Sequence, residues 1–158
     1  MNNISCCFTG HRKIPNDDIP HIQKNLEIRV KKLILQGVVN FYVGGALGFD
    51  TIAGKTIIKL KQYYPNIKLI LALPCKNQSS LWSANDVKIY ENIIVKADKI
   101  IYVSEKYFKG CMHKRNRFMV DNSDFCIFYL TCSTGGTYYT VNYAKQKNLN
   151  LIDIINTC

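Results

Sequence analysis

At 158 residues, 47% apolar and 20% charged, the chain is long enough to bury a core and too apolar to be disordered, so it is read as one domain over residues 1–158. No apolar run approaches the roughly 18 to 20 residues of a membrane span, and the opening MNNISCCFTGHR lacks a basic stretch followed by an apolar one. Neither a signal peptide nor a membrane partner is expected, and the location is read as cytoplasmic.

The formal charge of +10, from 21 basic and 11 acidic residues, favours anionic partners. The lysines are spread along the chain rather than blocked into a tail, so charge alone does not choose between a nucleotide and a polymer. Seven cysteines (Cys6, Cys7, Cys75, Cys111, Cys126, Cys132 and Cys158) include no Cys-x-x-Cys pair, and the histidines are not at metal-ligand spacing from them. No metal, cofactor or disulfide framework is expected.

In chain order, residues 4–9 form a short apolar run closed by Gly10. Over residues 17–36, Ile22, Leu26, Val30, Leu33 and Ile34 recur at helical spacing, with Gly37 as a C-cap. Residues 38–43 read as a second strand ending at Gly44-Gly45. Residues 47–63 read as a helix with Phe49, Ile52, Ala53, Ile57 and Leu60 on one face. Residues 67–73 are a third strand closed by Pro74. Residues 79–97 carry Leu81, Tyr90, Ile93, Ile94 and Ala97 as a helical stripe. Strand, helix, strand and helix follow at 99–103, 112–120, 125–130 and 137–147, and residues 150–155 end the chain as a sixth strand.

Continuous β-branched strands alternating with helices mean a mostly parallel, doubly wound sheet covered on both faces, an α/β Rossmann-like three-layer sandwich. Ligands bind such sheets beyond the C-terminal strand ends, where the unusual residues gather. Gly10, His11 and Arg12 follow strand one. Gly44 and Gly45 follow strand two, with Asp50 in the first turn of the next helix. Arg115 and Asn116, flanked by His113 and Arg117, lie on the short helix after strand four, with Met112 and Met119 turned inward. Gly135, Gly136 and Thr137 follow strand five.

A glycine pair between a strand and a helix lets backbone approach a phosphate at the positive end of the helix dipole. Two such junctions with arginines between them point to a phosphate-containing ligand. Asp50 complements the dipole of its own helix or accepts hydrogen bonds from a ribose or an amine. Trp82, at helical spacing, is read as core. The first strand lacks G-x-G-x-x-G, which argues against a dehydrogenase.

These motifs resemble the YpsA family, within the SLOG superfamily of Rossmann-like proteins that also includes LOG phosphoribohydrolases and DprA proteins. The landmarks cover most of the chain: TGHR at 9–12, GGALGFDTIAG at 44–54, Leu73-Pro74, Gln78, Trp82, RNRFMVDNSD at 115–124, GGT at 135–137 and Ala144. The resemblance implies a nucleotide-derived ligand at the rim, such as an ADP-ribose-type compound or a cyclic nucleotide signal, and a homodimer or larger even-numbered assembly.

LOG enzymes carry P-G-G-x-G-T-x-x-E, whose Glu serves in cleaving the N-glycosidic bond. Aligning Gly136-Thr137 with its G-T puts Thr140 at that position, and Asn116 stands where those enzymes have Lys. A hydroxyl cannot replace the carboxylate as general base, so the chain is read as a non-catalytic sensor or sequestering protein. Two alternatives stay open. One is a hydrolase using Asp50, Asp121 or Asp124. The other is a DprA-like single-strand binder, for which Tyr138 and Tyr139 are the obvious aromatic pair beside the motifs.

Overall fold

A computed structural model describes residues 3–155. Its centre is β1 (Ile4–Gly10), where Ser5 to Thr9 are all buried because helices cover both faces of the sheet. Beside it run β2 (Val38–Val43), β3 (Lys68–Leu73) and β4 (Lys99–Tyr102) on one side, and β5 (Phe125–Tyr129) and β6 (Asn150–Asp153) on the other. The order is β4-β3-β2-β1-β5-β6, and every pairing is parallel. The chain reverses its direction of travel across the sheet between β4 and β5, which opens a crevice between the C-terminal ends of β1 and β5.

Five helices supply the outer layers. α1 (Ile19–Leu35), α2 (Phe49–Lys61) and α3 (Ala84–Lys96) lie side by side on one face. Ile22, Leu26, Val30 and Leu33 of α1 and Phe49, Ala53, Ile57 and Leu60 of α2 form the larger core there, with Phe8, Phe41 and Leu69 of the sheet. α4 (Cys111–Asp121) and α5 (Gly136–Gln146) cover the other face over a smaller core of Cys7, Ala72, Met119, Val120, Cys126 and Ala144. Burying each large side chain contributes roughly 1.5–3 kcal/mol. The helical stripes of the sequence are therefore the inner faces of the two covering layers.

One element differs. The stripe over 79–97 predicts a helix five residues longer at its start than α3, which begins at Ala84 with Ser83 Oγ accepting the Asp86 N–H at 3.2 Å. Leu81 is consequently not core but 97% exposed. Trp82 does pack inward, edge-on to Tyr90 at 5.1 Å. Cys158 lies outside the described residues, and the other six cysteines are free thiols. Among the described residues no helix is long and apolar enough to cross a membrane.

β1 and α2 meet so closely that Gly10 has no room for a side chain: a Cβ there would clash with Cβ, Cγ and Cδ2 of Phe49. That ring is itself stacked on Tyr129 at 6.0 Å. Gly10→Ala should therefore overpack the junction and destabilise the fold by about 1–3 kcal/mol, read as a lower urea midpoint at unchanged slope. Wild-type stability in this variant would contradict the packing.

Candidate functional site

The register pairs Gly10 with Tyr129, so β1 and β5 end level and their following loops face each other. From the first loop, His11 Nε2 accepts the Thr131 N–H at 2.9 Å, and its ring meets the Tyr129 ring edge at 5.6 Å. An accepting Nε2 leaves the proton on Nδ1, and burial pushes the imidazole below its ordinary pKa. His11 is thus a neutral clasp joining the two loops. Arg12, next to it, is exposed, and its guanidinium makes no hydrogen bond or ion pair among the described residues.

The second rim segment, from Gly44 to Asp50, is consumed by the protein itself. Arg115, 4% exposed on α4, sends its guanidinium across the end of the sheet to the Gly44 carbonyl and, at 3.4 Å, to the Ala72 carbonyl. Its Nε donates to Asn116 Oδ1 at 2.7 Å. Asp50 faces Arg115 from α2: a Cβ on Gly44 would lie 2.6 Å from Arg115 Nη1 and 2.8 Å from Asp50 Oδ2. Asp50 also accepts the Ala46 N–H at 3.1 Å. Burial pushes its carboxyl up, opposed by the Arg115 charge and the Ala46 hydrogen bond. The Phe49 N–H donates to the His11 carbonyl at 3.1 Å, so the start of α2 is latched to the first loop.

Gly45 is filled in the same way, its Cβ position lying 2.6 Å from Leu73 and 3.2 Å from Tyr90. Gln78 Nε2 donates to the Gly45 carbonyl at 3.3 Å and to the Tyr90 hydroxyl at 3.3 Å. This first glycine junction is a packing joint.

The second junction is the opposite. Gly135 has φ +94°, and a Cβ on Gly135 or Gly136 would meet nothing within 4 Å. The first N–H groups of α5 have no acceptor within the helix and point at this open space. Thr140 sits one turn on, 1% exposed, with Oγ1 donating to the Gly136 carbonyl at 2.8 Å. Its hydroxyl closes the helix backbone rather than reaching the space in front of it.

A cavity of about 270 Å³ occupies the crevice. Of the residues that the sequence offers as ligand-facing, Gly10, His11, Arg12, Asp50, Arg115, Asn116, Gly135, Gly136 and Thr137 line it. Gly44 and Gly45, expected there too, do not line it, because Arg115, Asp50, Leu73 and Tyr90 take their space. Phe8, Thr9, Ala46, Met112 and Thr134 line it without having been expected. Their adjacency to the motifs was the available signal. Of the alternative carboxylates, Asp50 alone reaches the cavity. Asp121 accepts the Tyr143 hydroxyl at 2.8 Å, and Asp124 accepts the Ser5 N–H at 3.0 Å at the far end of β1.

The family model described as the YspA SLOG family, YpsA, matches residues 7–156. Among curated proteins, the SPbeta prophage-derived protein YoqJ of Bacillus subtilis is 36% identical over 69% of this chain and 71% of its own. The UPF0398 protein BH1768 of Halalkalibacterium halodurans is 31% identical over 82% and 70%. Among solved structures, DNA processing protein A from Helicobacter pylori, described for its single-stranded DNA binding mode, aligns at TM-score 0.68 and 23% identity over 96% of this chain. Its counterpart from Streptococcus pneumoniae aligns at 0.68 and 13%. The chain spans 65% of the first of these and half of the second. These two likenesses establish the fold.

Two outcomes follow from the geometry. Arg115→Ala strands a buried carboxylate and two carbonyls, so it should cost about 3–5 kcal/mol of stability, whereas Gly136→Val should stay within about 0.5 kcal/mol of wild type. Urea melts of both variants check this, and equal losses would contradict it.

The folded pKa of His11 lies below its unfolded value, so the stability it supports is present above the unfolded value near 6.5 and lost as pH falls through the folded value. Thermal melts should show wild type losing more of its melting temperature between pH 7 and pH 5 than His11→Gln does. Identical pH profiles would remove His11 as the clasp.

Proposed function

The chain belongs to the YpsA family of SLOG proteins, and from that premise we propose that it binds the phosphate and ribose portion of a nucleotide-derived ligand in the crevice between β1 and β5. One observation carries the reading. The rim glycines Gly10, Gly44, Gly45 and Gly48 are packed against by the protein's own atoms, while Gly135 and Gly136 face empty space at a helix N-terminus. Glycines that nothing in the protein fills suit backbone that must come close to a ligand.

The surrounding groups fit an anion with an attached sugar. The α5 N–H groups and the exposed Arg12 supply positive charge toward the phosphate. Asn116 has its Oδ1 held by Arg115, which leaves its Nδ2 as a donor toward ribose oxygens. Arg115 itself serves as a buried strut under the site, its donors committed to protein carbonyls. A volume of about 270 Å³ suits a ribose phosphate rather than a whole dinucleotide. An ADP-ribose-type ligand would leave its second half outside.

Thr140, buried and bonded to its own helix, favours a sensor or sequestering protein over a LOG-type hydrolase. A second reading rests on Asp50, a buried carboxyl raised above its usual range on the cavity wall.

One experiment addresses both readings. Thermal shift with AMP, ADP-ribose, cyclic AMP and related compounds should stabilise wild type, since a ligand at 100 times its Kd adds about 2.7 kcal/mol. Gly136→Val should abolish the shift at an unchanged baseline. Absence of any shift across the panel would remove the binding reading. Chromatography of the same mixtures should show intact nucleotide; free base released by wild type and not by Asp50→Asn would select the hydrolase.

A further inference from the structure

We propose that the loop from β4 to α4, residues 103–110, with Tyr102 before it and Lys114 after it, is a stacking platform for single-stranded nucleic acid. It is separate from the cavity and does not depend on the nucleotide reading. The sequence from Tyr102 is Tyr-Val-Ser-Glu-Lys-Tyr-Phe-Lys, and its aromatics face solvent. Tyr107 is 65% exposed, and Phe108 and Tyr102 are each 43% exposed. Three large rings left in water within seven residues give this loop a high density of exposed aromatic surface.

The rings are matched with cations. Lys114 Nζ lies 5.9 Å from the Phe108 ring centroid, and Lys76 Nζ lies 5.9 Å from that of Tyr102. Lys114 Nζ also donates to Ser104 Oγ at 3.3 Å, which ties the loop to the first turn of α4. Lys106 and Lys109, both exposed, flank the Tyr107-Phe108 pair, and Glu105 is the only acidic residue between Tyr102 and Lys114.

By contrast, the Tyr138–Tyr139 pair that the sequence suggests is partly engaged. The Tyr139 ring is 4.5 Å from that of His113, and its hydroxyl accepts from Arg117 at 3.1 Å.

Aromatic faces interleaved with lysines recognise splayed bases and the phosphates that link them. A duplex hides its base faces, so the patch selects a single strand. A second copy of this chain is disfavoured as the occupant, because matching faces would oppose their lysines on a molecule already carrying +10. The loop leaves the C-terminal end of β4, the edge strand of the sheet.

Fluorescence anisotropy of 5′-labelled dT20 and U20 with the full chain tests this. Wild type should bind both, and a 20-base-pair duplex at least about tenfold more weakly. Stacking contributes about 1–3 kcal/mol per base, so Tyr107→Ala with Phe108→Ala should weaken binding by about tenfold or more at an unchanged salt slope. Tyr107→Phe with Phe108→Tyr should retain it. Lys106→Ala with Lys109→Ala should reduce the salt slope by about 1.4.

The ratio of dT20 to U20 affinity tells DNA from RNA as the preferred polymer. Gly136→Val should bind as wild type does, which separates this surface from the cavity. Four results would each overturn the proposal: no binding by wild type, duplex bound as tightly as single strand, affinity unaffected by the double alanine variant, or loss confined to Gly136→Val. Light scattering in which the alanine variants alter only oligomeric state would assign the loop to self-association instead.

Discussion

A single buried guanidinium joins the two helical layers of this protein across the end of the sheet. Arg115 starts on α4, on one face, and its donors end on the carbonyls of Gly44 and Ala72, at β2 and β3. Asp50 meets it from α2, on the opposite face. Desolvating a guanidinium is costly, and the cost is offset only where its donors are satisfied and a counter-charge is near. Several neighbours follow from that requirement. Gly44 must lack a Cβ, Asp50 must be buried, and Asn116 must turn its Oδ1 toward Arg115 Nε. Ala46 is then positioned by the same carboxylate.

The strut divides the rim into a rigid part and a receptive part. Between Gly44 and Phe49, backbone and side-chain groups are spent on the protein: the Phe49 N–H on His11, the Ala46 N–H on Asp50, the Gly45 carbonyl on Gln78. At Gly135 and Gly136 no described protein atom fills the space, and the Arg12 guanidinium nearby makes no hydrogen bond or ion pair among the described residues. For the anion binding proposed above, a wall already ordered by folding lowers the ordering cost left to be met on binding. His11 couples the two sides by holding the β5 loop through Thr131. The buried wall and the open glycine junction are thus two parts of one crevice.

Much of the architecture was legible in the sequence. Continuous apolar, β-branched runs mark strands buried on both faces, a 3.6-residue period reports which helix residues face inward, and these are local properties. They placed the six strands and the inner faces of α1 and α2 correctly, together with the strand ends where the cavity forms. The same reasoning extended α3 backward to residue 79, since Leu81 continues the apolar spacing. The chain instead turns through residues 75–82, and Ser83 caps the helix that follows. Apolar spacing cannot tell a buried leucine from an exposed one when no neighbouring element covers it.

The sequence by itself determined the alternation of strands and helices, the family, and the clustering of glycines, arginines and His11 at one rim. Only the tertiary structure decided which glycines are joints and which are openings. Gly44 and Arg115 are 71 residues apart in sequence, and Ala72 and Arg115 are 43 apart. What fills the space beside a glycine is set by atoms the chain brings back from that distance. The exposure of Tyr107 and Phe108 is of the same kind, since a ring is covered only if another element happens to pack over it. Local pattern carries periodicity and turn chemistry; occupancy of space is a property of the assembled layers.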